Sequence, residues 1–392
     1  MKSIVKCIKQ LPLTREISKG LFALLSLFPN KKKLVLFESF SGKQYSCNPK
    51  AMYEYMFKYK KDYELLWSVN KQNKRFFEEA GIPHVERLSI KWFFKMATAG
   101  YWVTNSRMPS WIPKPKNVTY IQTWHGTPLK RLVADMEEVH MPGTNREKYI
   151  LGFHKEASNW DYLLSPNDYS TEIFKRAFDY KGKIIEKGYP RNDNLVNRNN
   201  EKDIEVLKTK YQLPQDKKVI LYAPTWRDHE YYGPGNYKFK LKLDLDLLKK
   251  ELGDEYVIIL RMHSFVAENF DLKPYKGFVY DYSKGIDITD LYLVSDILIT
   301  DYSSVFFDFA ILKRPMFFFT YDIELYRGSI RGFYFNFEEE SPGPIVTTTQ
   351  ELIKEVKQIS LGFDYLNKAF INRFCYLDDG HASEKTVEAI FD

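Results

Sequence analysis

Short apolar runs recur along the chain, each closed by a polar loop and then by a stretch of helical spacing. In the first half the runs are 34–38 (LVLFE), 64–68 (ELLWS), 101–104 and 118–123. In the second half they are 218–222, 256–260, 277–280, 297–300 and 316–320. Strands alternating with helices predict βαβ units around parallel sheets covered on both faces. A polar stretch, 198–202 (RNNEK), precedes a helical pattern to about Tyr211 and separates the two sets. The expected organisation is therefore two doubly wound α/β domains, 34–195 and 196–392, closed by helical patterns over 364–374 and 383–391. Two such domains facing a central cleft take a ligand at the carboxyl ends of their strands.

Ahead of the first strand the pattern changes. Thr14 can cap a helix running to about Phe28, in which Ile17, Leu21, Leu24, Leu25 and Phe28 form one apolar stripe. The apolar run is far shorter than the ~20 residues of a spanning helix, and no signal-peptidase-like site follows it. Two readings stand: an interfacial helix with the Lys31–Lys33 cluster behind it, held on an anionic leaflet, or an amphipathic helix docked on its own domain.

Charge sharpens the first of these. Lys and Arg number 58 against 51 Asp and Glu, a net +7, and residues 1–33 hold eight bases and one acid. The remaining chain is neutral, so the excess is an N-terminal tag and a nucleic-acid partner is not expected. Hydrophobic content of 44% and charged content of 28% exclude a disordered, collagen-like or polytopic membrane chain. Aromatics at 16% are read first as core. Three separated cysteines, Cys7, Cys47 and Cys375, fit neither a disulfide framework nor a zinc site, and suit a reducing compartment.

The candidate chemistry lies at strand ends. In 118–132 (VTYIQTWHGTPLKRL), Thr127 can act as N-cap and Pro128 as first helical residue, which sets His125 beside a helix N-terminus that favours an anion. An imidazole there is placed to take a proton from a hydroxyl attacking a phosphate; the alternative is a turn histidine bonded to backbone. Arg261, Met262 and His263 follow the strand at 256–260, so guanidinium and imidazole can address one phosphate, or Arg261 can form an edge salt bridge. Ser303 and Ser304 precede a helix as ordinary caps or as diphosphate ligands. Asp308, one turn on, can accept bonds from ribose hydroxyls, and Asp301 can orient the loop. Arg191 and Arg227 can neutralise phosphates or pair with acids. No GxGxxG follows a strand, no GxxxxGK[ST] occurs, and no metal site or cofactor is expected.

The segments TWHGTPLK (123–130), GYPRND (188–193), YAPTWRD (222–228), RMH (261–263) and DYSSVFFDF (301–309) resemble the CDP-glycerol:poly(glycerophosphate) glycerophosphotransferase family, which builds wall teichoic acid. GKQYSCNP (42–49) and DGHAS (379–383) extend the likeness over nearly the whole chain. The resemblance implies a GT-B architecture of two Rossmann-like domains and attachment to the cytoplasmic face of the cell membrane. It implies transfer of glycerol phosphate from CDP-glycerol to a lipid-linked disaccharide or glycerol-phosphate primer, with release of CMP. His125 and His263 are the implied essential pair. The implied substrate contacts are Trp124, Gly126, Thr127, Pro128, Arg191, Pro224, Thr225, Arg227, Arg261, Met262, Ser303, Ser304 and Asp308. Long polymerases of this family carry a large extra N-terminal region; the ~30 residues ahead of the first strand here favour a primase-like short form. The rivals are a CDP-ribitol transferase, a GT-B sugar-nucleotide glycosyltransferase and a non-catalytic membrane scaffold.

Overall fold

The computed structural model describes residues 12–139, 144–225, 231–233, 236–237, 241–262, 271–323, 332–362 and 364–392. The chain divides into two compact units: Met1–His125, Ile150–Arg191 and His381–Asp392 form the first, Gly126–Tyr149 and Asn192–Gly380 the second. It passes from one to the other after His125, Tyr149, Arg191 and Gly380.

In the first unit, seven parallel strands take the order β3-β2-β1-β4-β5-β6-β7. They are β1 (Lys31–Glu38), β2 (Glu64–Val69), β3 (His84–Glu86), β4 (Ala99–Thr104), β5 (Thr119–Gln122), β6 (Tyr162–Ser165) and β7 (Lys183–Glu186). The five residues at the end of β1 are buried, which is why its sequence reads as an unbroken apolar run. Val35, Phe37, Trp67, Val103 and Ile121 share a core with Met52 and Met56 of helix Cys47–Tyr59. The C-terminal helix Ala382–Phe391 closes this core, with Phe391 set 4.6 Å from Tyr101, centroid to centroid.

The second unit holds β8 (Lys218–Ala223), a small hairpin of β9 (Tyr231–Gly233) and β10 (Asn236–Tyr237), β11 (Tyr256–Leu260), β12 (Val279–Asp281), β13 (Ile297–Thr300), β14 (Met316–Phe319) and β15 (Ile345–Val346). Six of them form a parallel sheet in the order β12-β11-β8-β13-β14-β15. In each sheet the order reverses beside the first strand, between β1 and β4 and between β8 and β13. Loops leaving the carboxyl ends of such a strand pair splay apart and leave a crevice.

The expected strands are present, with ends unmoved or moved by at most three residues. β3, β6, β7, β9, β10 and β15 go beyond expectation, because two to four residues are too few to show a period. Two local expectations are corrected. No helix begins at Thr127 and Pro128: Lys130 makes an antiparallel bridge to Phe333, Arg131 N–H donates to the Gly332 carbonyl, and Tyr334 N–H donates to the Leu129 carbonyl. These partners, two hundred residues away, satisfy the extended backbone that local capping would otherwise have turned into a helix. The N-terminal helix spans Pro12–Leu25, with proline as its first residue, so Thr14 lies inside it.

Candidate active site

Beyond β5, Trp124 adopts φ +52°, a left-handed conformation uncommon for a bulky residue. Its N–H donates to Gln122 Oε1 (3.0 Å), and its carbonyl accepts from Asn48 Nδ2 (3.3 Å). Its ring packs on Phe178 at 4.8 Å, on Phe174 at 5.8 Å and against the His125 ring at 4.8 Å. The turn so fixed presents His125, whose other ring neighbour is Phe40, edge-on at 5.7 Å.

His125 Nδ1 lies 2.7 Å from the Asn105 carbonyl oxygen. A carbonyl only accepts, so Nδ1 carries the proton and the neutral ring has its lone pair on Nε2. Asn105 follows β4 and is itself braced: its Oδ1 accepts Phe40 N–H (2.8 Å) and its Nδ2 donates to Ser39 Oγ (3.1 Å). Desolvation lowers the imidazole pKa from 6.5 to about 4; the Asn105 carbonyl opposes the shift and the Arg191 charge adds to it. His125 keeps solvent-accessible surface, and the downward shift leaves its imidazole neutral at pH 7.

Arg191 is buried, its guanidinium stacked 4.7 Å from the Tyr189 ring and its Nη1 directed at Cys47 Sγ (3.3 Å). Its backbone N–H donates to Asn48 Oδ1 at 3.2 Å. His125, Trp124 and Arg191 are thus brought together in the first unit.

The second unit assembles its own set around the reversal at β8 and β13. Thr225 N–H, after Pro224, donates to the buried Asp301 carboxylate at 2.8 Å, so Asp301 orients this loop. Ser304 is the N-cap residue of helix Val305–Phe309 but makes no side-chain cap bond. A Cβ on Gly126 would stand 3.0 Å from Ser304 Oγ, which explains the glycine after His125. Thr127 and Pro128 are buried. Asp308 is buried and accepts from Asn192 Nδ2 (3.3 Å), which also reaches Asp378 Oδ1 (3.2 Å). Arg261 N–H donates to the Tyr222 carbonyl, its Nη1 donates to the Tyr282 carbonyl (2.6 Å), and burial pushes its pKa down. Met262 N–H donates to Ser283 Oγ at 3.0 Å.

Arg227 and His263 lie outside the described residues. Among the described residues no cluster of three His, Cys, Asp or Glu side chains could hold a metal ion. Asn48, Asn105, Gln122 and Asn192 were not anticipated. The rule that found the other strand ends, applied to β1 and β4, would have drawn attention to Ser39, Phe40 and Asn105.

Parallel sheets that carry an imidazole, arginines and hydroxyls at their carboxyl ends define an α/β protein with its polar chemistry gathered at the strand ends. The family model for CDP-Glycerol:Poly(glycerophosphate) glycerophosphotransferase matches residues 21–392. The chain is 62% identical over 377 residues to the teichoic acid poly(glycerol phosphate) polymerase of Bacillus subtilis (strain 168), covering 95% of this chain and 50% of that one. It is 54% identical over 372 residues to the polymerase of the same name from Bacillus spizizenii (strain ATCC 23059 / NRRL B-14472 / W23), covering 94% of each. The solved structure of the wall teichoic acid polymerase TagF matches with a TM-score of 0.87 at 46% identity, covering 100% of this chain and 96% of that one. The chain belongs to the CDP-glycerol:poly(glycerophosphate) glycerophosphotransferase family. It spans half the length of one polymerase and nearly all of another, so length does not separate a primase-like form from a polymerising one.

Proposed function

We propose that this chain transfers glycerol phosphate from CDP-glycerol to the hydroxyl end of a membrane-linked teichoic acid primer, and that it extends the polymer. The observation that carries the reading is His125: a neutral imidazole with Nδ1–H held by a carbonyl and its Nε2 lone pair available. The acceptor hydroxyl oxygen forms a bond to the phosphorus that bears glycerol. The bond from that phosphorus to the CMP oxygen breaks, CMP leaves with the electron pair, and the hydroxyl proton passes to His125 Nε2. A loose phosphoryl transition state asks little of a base, so an imidazole of low pKa suffices. Arg261, His263, Ser303 and Ser304 are assigned to the diphosphate, where fixed charge and hydroxyls stabilise the departing phosphate. Pro224, Thr225, Arg227 and Asp308 are assigned to the rest of the nucleotide. The GT-B arrangement belongs to the same proposal.

The N-terminal helix supports a peripheral place on an anionic membrane surface. Phe22 is buried against Phe93 and Trp102, yet part of the predicted stripe stays open, with Ile17 61% and Leu24 59% exposed. No helix among the described residues is long and apolar enough to cross a membrane.

The test offers CDP-glycerol and CDP-ribitol in parallel, with a lipid-linked disaccharide acceptor bare or carrying one glycerol phosphate. CMP release with a ladder of glycerol-phosphate increments is expected, and His125→Ala should lower turnover by roughly 10²–10⁴ with CDP-glycerol binding retained. Ribitol-sized increments would change the donor. Sugar increments, or no CMP from folded protein, would overturn the reading.

A further inference from the structure

Asn48 stands in the GKQYSCNP segment, which no step above uses. It is wholly buried, near the start of helix Cys47–Tyr59, and its side-chain amide bonds to the backbone of two remote segments. Nδ2 donates to the carbonyls of Thr123 (3.1 Å) and Trp124 (3.3 Å), while Oδ1 accepts the Arg191 N–H (3.2 Å). We propose that Asn48 is a positioning residue for transfer: it holds the left-handed Trp124 turn that presents His125 and ties that turn to the backbone of Arg191.

The geometry is specific. A left-handed tryptophan relaxes toward ordinary backbone angles unless its surroundings hold it. The two peptide planes flanking Trp124 carry four polar groups. Asn48 donates to both carbonyls, sharing that of Trp124 with the Thr123 hydroxyl (3.1 Å), and Gln122 takes the Trp124 N–H. Because two carbonyls face Nδ2, the position demands a donor there, and because an N–H faces Oδ1, it demands an acceptor on the other side; asparagine supplies both. Its neighbour Cys47, itself at φ +64°, sets Sγ against Arg191 Nη1, so the start of this helix meets both the main chain and the guanidinium of Arg191. Among the described residues Arg191 is the charged group acting on the His125 imidazole, with the Cys47 thiol against it. Loss of Asn48 therefore disturbs the base and its neighbouring cation together.

The inference rests on His125 as the base of the proposed transfer, and the test separates the two. Asn48→Ala and Asn48→Asp are compared with the wild-type full chain for kcat and for KM toward CDP-glycerol. The His125 titration is followed by NMR in Asn48→Ala, assigned by its absence in His125→Gln. In cooperatively melting variants kcat should fall about 30- to 100-fold, since small misplacements of a reacting group cost that much. KM should stay within about threefold, and the His125 titration should move up toward 6.5 as the ring leaves its seat. Asn48→Asp keeps side-chain size and the Arg191 acceptor while exchanging the Nδ2 donors for a carboxylate oxygen, and it carries the test if Asn48→Ala does not fold. Wild-type kcat in either folded variant overturns the proposal, as does an unmoved titration in Asn48→Ala. If the wild type itself releases no CMP, the transfer reading fails, and the titration still decides whether Asn48 holds the turn.

Discussion

At the scale of single residues, the chemistry of His125 depends on the carbonyl of Asn105. By accepting from Nδ1, that carbonyl selects the tautomer and leaves Nε2 to receive a proton. Desolvation favours the neutral ring, with a stability consequence whose sign follows from proton counting. Between about pH 4 and 6.5 the unfolded chain binds the proton more readily than the folded one. This residue's contribution to stability therefore rises with pH across that window and is lost as pH falls. Urea denaturation at pH 5 and pH 7.5 should show a smaller stability difference in His125→Gln than in the wild type. The histidine itself was legible as a polar residue closing a strand. Its tautomer was not, because Asn105 follows another strand and only pairing of β4 with β5 brings the two together.

Among the elements, the central pair β1 and β4 shows how closely register is set. Gly100 on β4 lies where a Cβ would fall 2.3 Å from the Lys32 carbonyl oxygen, and the pairing shifts register between Lys31 and Val35. Two strand backbones approach there more closely than a methyl group permits. Gly100→Ala should cost about 1–3 kcal/mol, the usual range for overpacking. Urea titration should show a lower midpoint with an unchanged slope. Strand and helix types over long periodic runs were readable because periodicity reports burial directly. The segment after His125 misled for the opposite reason: Thr-Pro is a helix-start signal, and pairing with 332–334 overrode it.

For the whole molecule, the discontinuous units and the N-terminal helix matter most. Ile17 and Leu24 are more than half exposed, so Ile17→Ser with Leu24→Ser should leave folding intact. The pair should lower binding to anionic vesicles about tenfold or more, measured by co-sedimentation, while turnover on a short water-soluble acceptor stays within about twofold. Equal binding by variant and wild type would remove the helix from the membrane reading.

Periodicity and turn chemistry, read along the chain, were enough for the α/β class, for most strands and for the strand-end placement of His125, Arg261 and Ser303. The N-terminal charge excess needed only counting. Those features are local, set by which side chains stand two or four positions apart. Packing decided the rest: that Gly126 meets Ser304, that Asn48 joins Trp124 to Arg191, and that a helix ending at Phe391 returns to the first unit's core. Such meetings depend on contacts across tens to hundreds of residues, and a polar residue's neighbours in sequence do not reveal which distant carbonyl or amide will satisfy it.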